Sequence, residues 1–252
     1  MKLVFYGDSV TDADRNKEDS EALSALGCGY VRDIAGTLTL WDPAAFEVVN
    51  LGFNGYRIID LYQKAEDELW RMPVQPDVIT VLAGVNDLWH KVNRNGVGIE
   101  RFETFYRMFI EDTRSYYRDV RLILMEPFMV RGGITEQNYE KYLQIYEYDR
   151  VIRKLAEEYG CGFIPLQEEI TRKTEQSGHP YTYIREDGFH PNFAGARLIA
   201  DRWLRYFQEN IYKNSSDRKD ADGTGAGRSS DDQNTYDASF GDKRGDRRKF
   251  YP

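Results

Sequence analysis

The sequence predicts a three-layer α/β/α sandwich built on a five-stranded parallel sheet. Short apolar runs without polar alternation recur along the chain, as strands buried on both faces require, and segments with helical periodicity separate them. Strand and helix patterns alternate, so each strand is followed by a crossover returning to the same sheet edge. At 252 residues with 41% apolar content, one substantial core is the simplest organisation.

The first apolar run, Leu3 to Tyr6, reads as a buried strand ending at Gly7-Asp8-Ser9. Phe46 to Leu51, Val78 to Leu82, Leu122 to Met125 and Gly162 to Pro165 supply the other four. Ile58, Leu61, Tyr62, Ala65 and Leu69 share one helical face. Phe102, Phe105, Phe109 and Tyr116 do the same across Ile99 to Tyr117. Tyr139, Tyr142, Tyr146, Ile152, Leu155 and Tyr159 form a longer stripe that Gly160 is placed to stop. Ile199, Trp203, Phe207 and Ile211 recur at four-residue steps, predicting a last helix from about Asn192 to Tyr212.

Composition changes after Lys213. From Asn214 to Pro252 there is no Leu, Ile, Val or Met, and eight Asp balance eight Lys plus Arg. Such a segment buries too little apolar surface to offset its ordering entropy. Residues 1–213 therefore read as the folded domain and 214–252 as a polar, disordered tail. Arg244-Gly245-Asp246 resembles an adhesion tripeptide and Asn214-Ser215-Ser216 a glycosylation sequon, but a solvated tail accounts for both.

A formal charge of -8 argues against a broad phosphate-binding face, hence against nucleic acid as a partner. Two cysteines, Cys28 and Cys161, make no disulfide framework and lack zinc-site spacing. No stretch has the length and hydropathy of a membrane span, and no export signal is evident, so a soluble, cytoplasmic protein is expected.

In open parallel sheets, ligands sit beyond the carboxyl ends of the strands. The polar motifs fall there. Asp8-Ser9 follows the first strand, Asn50-Leu51-Gly52-Phe53-Asn54-Gly55 the second, and Gly84-Val85-Asn86-Asp87 the third; Asp187 to His190 precedes the last helix. Each alone could be a helix cap or a tight turn. Together they offer a hydroxyl nucleophile in Ser9, an imidazole base in His190 and a carboxylate in Asp187 that can fix the imidazole tautomer.

With these four blocks in this order, the chain resembles the SGNH hydrolases, also called the GDSL esterase and lipase family, over about residues 1–212. The resemblance implies a flavodoxin-like SGNH fold, Ser9 as nucleophile, His190 as base and then acid, and Asp187 as the group orienting it. It implies an oxyanion hole made by the backbone N–H groups of Ser9 and Gly55 and the side-chain amide of Asn86. Val10 stands where the family name has leucine, and the position is apolar in both.

Other chemistries fit poorly. The serine lacks the final glycine of the Gly-x-Ser-x-Gly elbow, and there is no phosphate loop, dinucleotide fingerprint or His-Glu-x-x-His helix. No metal and no organic cofactor are expected. Asp8, Trp89, Phe53 and Phe128, with Tyr56 and Tyr183, are candidates for substrate contact, the aromatic rings as a rim suited to sugar faces or acyl chains. His90 and His179 are assigned to the surface or to supporting positions.

The resemblance is strongest to small cytoplasmic carbohydrate acetylesterases, through Gly29-Tyr30-Val31, Asn86-Asp87-Leu88-Trp89 and Met125-Glu126-Pro127-Phe128. It implies hydrolysis of a short acyl ester, acetyl foremost, of a small molecule or acetylated oligosaccharide. An acyl thioesterase or lysophospholipase could use the same site, and a non-catalytic binding module could keep the fold. Assembly into a homo-oligomer is open.

Overall fold

The computed structural model describes residues 1–93 and 95–213. The expected tail, 214–252, lies outside the described residues. Five strands form one parallel sheet: β1 (Lys2–Gly7), β2 (Glu47–Gly52), β3 (Val78–Leu82), β4 (Arg121–Met125) and β5 (Gly162–Ile164), in the order β2-β1-β3-β4-β5.

Nine α-helices accompany them among the described residues: α1 (Ser9–Asp12), α2 (Tyr30–Trp41), α3 (Ile58–Glu68), α4 (Val85–Val92), α5 (Ile99–Tyr116), α6 (Tyr139–Tyr142), α7 (Ile145–Tyr159), α8 (Gln167–Ser177) and α9 (Phe193–Phe207). This is the three-layer α/β architecture expected, with the chain reversing direction across the sheet between β1 and β3.

The two-residue period of the strands sorts the core into two faces. Val4, Ile79 and Leu122 stand in register on one face, packed with α3, α5 and α7. Phe5, Thr80 and Ile123 stand in register on the other, packed with α2, α8 and α9. Thr80 is the one polar side chain in β3, and its hydroxyl accepts the indole N–H of Trp203 at 2.9 Å. A buried indole thereby finds its partner inside the sheet.

The helices depart from the expected faces in two places. In α5 the buried stripe is Phe102, Tyr106, Phe109, Ile110 and Thr113. Phe105 and Tyr116 fall at its edge, and Tyr116 is 52% exposed while stacking on Trp70. The tyrosine stripe from 139 to 159 is not one helix, because the chain breaks at Leu143 and Gln144 between α6 and α7. Gly160 does end α7, in the left-handed conformation (φ 58°) that glycine adopts without strain. The last helix continues past Phe207 in a wider π-turn over Gln208–Tyr212.

No helix among the described residues is long and apolar enough to cross a membrane.

Candidate active site

Ser9 is the first residue of α1, directly beyond the carboxyl end of β1. Asp8 caps that short helix: its Oδ1 accepts the Val10 N–H at 3.0 Å, and its own N–H reaches the Leu82 carbonyl at 3.2 Å. The serine is thus fixed between β1 and β3. Gly52 allows this tight seat, since a Cβ there would lie 2.1 Å from the Asp12 nitrogen. Asn50 locks the same junction, donating to the carbonyls of Thr11 (2.7 Å) and Leu26 (2.9 Å) while accepting the Gly52 N–H.

Asp187 and His190 arrive on a hairpin closed by the antiparallel bridge Ile184–Pro191 and by the Arg185 N–H donating to the His190 carbonyl at 2.8 Å. Gly188 (φ 92°) makes the bend, and its carbonyl accepts the Val130 N–H at 2.8 Å. His190 Nε2 lies 2.8 Å from Ser9 Oγ, and His190 Nδ1 lies 2.9 Å from Asp187 Oδ2. Asp187 Oδ1 accepts the backbone N–H of both Phe189 and His190. Burial pushes the Asp187 carboxyl up, but the hydrogen bonds from the His190 ring and from the two backbone N–H groups outweigh it and hold it below the usual carboxylate range. The structure therefore joins the three residues in one hydrogen-bonded line.

Asn86 is the second residue of α4, two positions beyond Gly84, whose φ of 134° belongs to glycine. One amide hydrogen of Asn86 goes to the Tyr56 carbonyl at 3.0 Å. That bond anchors the Asn86 amide to the turn after Gly55, which has a φ of 79° and open space where a Cβ would be. Asp87 holds the same turn from beneath, both carboxylate oxygens accepting the Ile58 N–H. His90 joins in, with Nε2 at 3.3 Å from the Gly55 carbonyl. The supporting position expected for His90 is thus a contact with the Gly55 turn.

Two buried carboxyls underlie the site. Burial pushes Asp8 up to about 7, against the Val10 N–H and His190, which pull it down. Asp87 is pushed well above the carboxylate range by burial, with the Ile58 N–H opposing and Asp8 adding to the rise.

The expected substrate contacts need correction. Asp8 is 1% exposed, and its side chain is taken up as the buried cap of α1. Phe128, 2% exposed, packs with the α2, α8 and α9 core. Phe53 is buried between Tyr6 and Tyr56, and Trp89 stacks on Tyr142 and against Phe189. Tyr183 packs on the core of its own side. These rings neighbour the motifs in sequence, but Phe128 is buried in the core and Trp89 and Tyr183 are half-buried against it.

The cleft over Ser9 and His190, about 380 Å³, is lined instead by Arg185, Phe193, Cys28 and Asn54, among others. Asn54 also borders a more polar depression of about 500 Å³ that includes Gly55 and Tyr56. Phe193 carried a weak signal: an apolar residue opening an amphipathic helix reads as core, yet it is 79% exposed.

The geometry brings a hydroxyl, an imidazole and a carboxylate into line beside a glycine turn and a fixed amide, which suits acyl transfer. Comparisons with known proteins agree. An acetylxylan esterase of Geobacillus stearothermophilus is 29% identical over 211 residues, spanning 81% of this chain and 92% of that protein. A crystal structure described as a GDSL-like lipase from Parabacteroides merdae superposes with a TM-score of 0.73 at 30% identity, over 81% of this chain and 94% of the other. The crystal structure of the acetylxylan esterase Axe2 from G. stearothermophilus superposes with a TM-score of 0.71 at 28% identity, over 81% and 93%. The profile of the GDSL-like lipase/acylhydrolase family matches residues 5–198, which include every motif block described above. This chain belongs to the GDSL-like lipase/acylhydrolase family and is a carboxylic ester hydrolase of the SGNH type.

Proposed function

We propose that this chain is a serine esterase that removes a short acyl group, acetyl in the first place, from an acetylated sugar or oligosaccharide. The observation that carries the reading is the line Ser9 Oγ, His190 Nε2, His190 Nδ1, Asp187 Oδ2, with contacts of 2.8 and 2.9 Å. In the related Axe2, catalytic mutants replace a serine, an aspartate and a histidine, the last two three positions apart, the spacing of Asp187 and His190.

In the reaction, Ser9 Oγ attacks the ester carbonyl carbon while His190 Nε2 takes the hydroxyl proton. The carbonyl oxygen becomes an oxyanion, which accepts hydrogen bonds from the backbone N–H of Ser9, the backbone N–H of Gly55 and the Asn86 amide. Collapse expels the alcohol, and the imidazolium returns its proton to the leaving oxygen. Water, deprotonated by His190, then attacks the Ser9 ester; as the acid leaves, the imidazolium returns that proton to Ser9 Oγ and the free hydroxyl is restored. Throughout, ionised Asp187 holds the Nδ1–H tautomer and offsets the imidazolium charge.

The cleft of about 380 Å³ suits a short acyl group with a sugar-sized alcohol. Hydrolysis of p-nitrophenyl acetate, butyrate and octanoate by the wild type and by Ser9→Ala tests the reading. Activity that declines with chain length and disappears in the variant is expected; preference for octanoate, or activity retained without Ser9, would overturn it.

A further inference from the structure

The geometry points to Phe193 and Arg185 as the subsite that holds the alcohol portion of the ester, with Phe193 as a stacking platform for a pyranose ring. This inference rests on the catalytic roles proposed above. In those roles the oxyanion faces Gly55 and Asn86, whereas the leaving oxygen must come within reach of His190 Nε2, which protonates it. The alcohol therefore occupies the His190 side of the cleft. Along that side the lining residues are Arg185, Pro191, Asn192 and Phe193.

Phe193 is the first residue of α9 and is 79% exposed where it lines the cleft. Its base is rigid. Asn192 accepts the N–H groups of Ala194 (2.9 Å) and Gly195 (3.1 Å), and donates to the carbonyls of Tyr181 (2.8 Å) and Thr182 (3.0 Å). The backbone that carries the ring is thus fixed beside His190, so only the side-chain rotamer has to be ordered when it is used.

Arg185 supplies the polar complement. Its backbone is tied to the His190 carbonyl at 2.8 Å, while its exposed guanidinium has no ion pair or side-chain hydrogen bond among the described residues. A sugar ring offers C–H groups on its faces and hydroxyls around its rim. The first match an aromatic face, and the second match a fork of N–H donors.

The test uses two acetate esters, acetylated xylobiose and ethyl acetate, because ethanol is too small to reach across to Phe193. p-Nitrophenyl acetate is avoided, since its aromatic leaving group would stack on the same ring. The readout is the ratio of kcat/KM for acetylated xylobiose to that for ethyl acetate. Phe193→Ala should lower this ratio by about 3- to 10-fold, through KM, as loss of one stacking contact implies. Phe193→Trp should restore it, whereas Phe193→Leu, apolar but not aromatic, should not.

An unchanged ratio in Phe193→Ala overturns the platform while leaving the esterase assignment intact. So does a change in the mass of the protein in solution on Phe193→Ala with equal losses on both esters, which would make this face a contact between copies of the chain. Wild type that hydrolyses ethyl acetate through Ser9 but ignores acetylated xylobiose overturns the carbohydrate reading and the platform together. Full activity of Ser9→Ala on both esters overturns the mechanism itself.

Discussion

Asp187 grips His190 twice: Oδ2 meets the ring Nδ1 at 2.9 Å, and Oδ1 accepts the backbone N–H of the same residue at 2.9 Å. One carboxylate therefore sets both the orientation of the imidazole and the bend of the loop that carries it. The two functions can be separated by mutation. Asp187→Asn keeps an Oδ1 acceptor for the backbone but presents an amide N–H to Nδ1, which favours the wrong tautomer. Turnover should fall by about two to four orders of magnitude with the fold retained, checked by kcat on p-nitrophenyl acetate together with circular dichroism. Because its carboxyl lies below the usual range, Asp187 stays ionised as pH falls, so loss of activity in mild acid should not follow its titration.

Asn86 should behave differently. Its amide is oriented by the Tyr56 carbonyl, and in the oxyanion role proposed for it the contribution is to charge that appears only near the transition state. Asn86→Ala should lower kcat by about 100- to 1000-fold and leave KM nearly unchanged. A change confined to KM would remove Asn86 from the oxyanion hole. Asn86→Asp should be worse still, because its carboxylate would repel the oxyanion.

How far these features could be read in advance depended on the kind of constraint. Strands buried on both faces must be apolar at nearly every position, so β1, β3 and β4 stand out as runs. Ser9 and Asn86 stand out as polar residues just beyond strand ends, and Asp187 and His190 as a carboxylate and an imidazole three residues apart before the last helix. Helices α2 and α8 were not resolved from the pattern. Gly36, Thr37 and Thr39 interrupt the apolar pattern of the first, and the second buries only Gln167, Ile170 and Thr174. The lining of the cleft was the least legible. An aromatic side chain beside a motif does not reveal which way it faces, and Trp89 finds Tyr142 at 5.6 Å rather than the cleft. The buried cap role of Asp8 has an ordinary signal, an Asp at the start of a helix.

The two glycines of the second motif block make contrasting predictions. At Gly55 the backbone is left-handed but the space around a Cβ is open, so Gly55→Ala should fold with a penalty of about 1 to 2 kcal/mol and a reduced kcat from distortion of the turn. At Gly52 a Cβ would stand 2.1 Å from the Asp12 nitrogen and 2.4 Å from its Cα, both backbone atoms. Relief requires moving α1, and Ser9 with it. Gly52→Ala should therefore cost about 3 kcal/mol and displace the nucleophile. Thermal melts of both variants give the stability order, and labelling of Ser9 by a fluorophosphonate reports on the nucleophile; equal melts would contradict the close packing seen here.

Asp149 on α7 offers a test of stability away from the cleft. Both its carboxylate oxygens are buried without a hydrogen-bond partner among the described residues. Burial pushes its carboxyl up to about 9; Glu126 adds to the rise, Arg153 opposes it, and Glu168 adds again. A carboxyl raised in the folded state is favourable while neutral. Its contribution is intact below the ordinary value of 3.8 and is lost as pH climbs toward about 9. Wild type should therefore lose stability relative to Asp149→Leu across that interval. At pH 8 the leucine variant should be more stable by about 1 to 3 kcal/mol, since an apolar side chain of similar size leaves no buried group unsatisfied. Melting temperatures at pH 5 and pH 8 decide the matter: the gap in favour of leucine must widen with pH, and a gap that is constant or narrows would mean that Asp149 is ionised and satisfied in the folded protein.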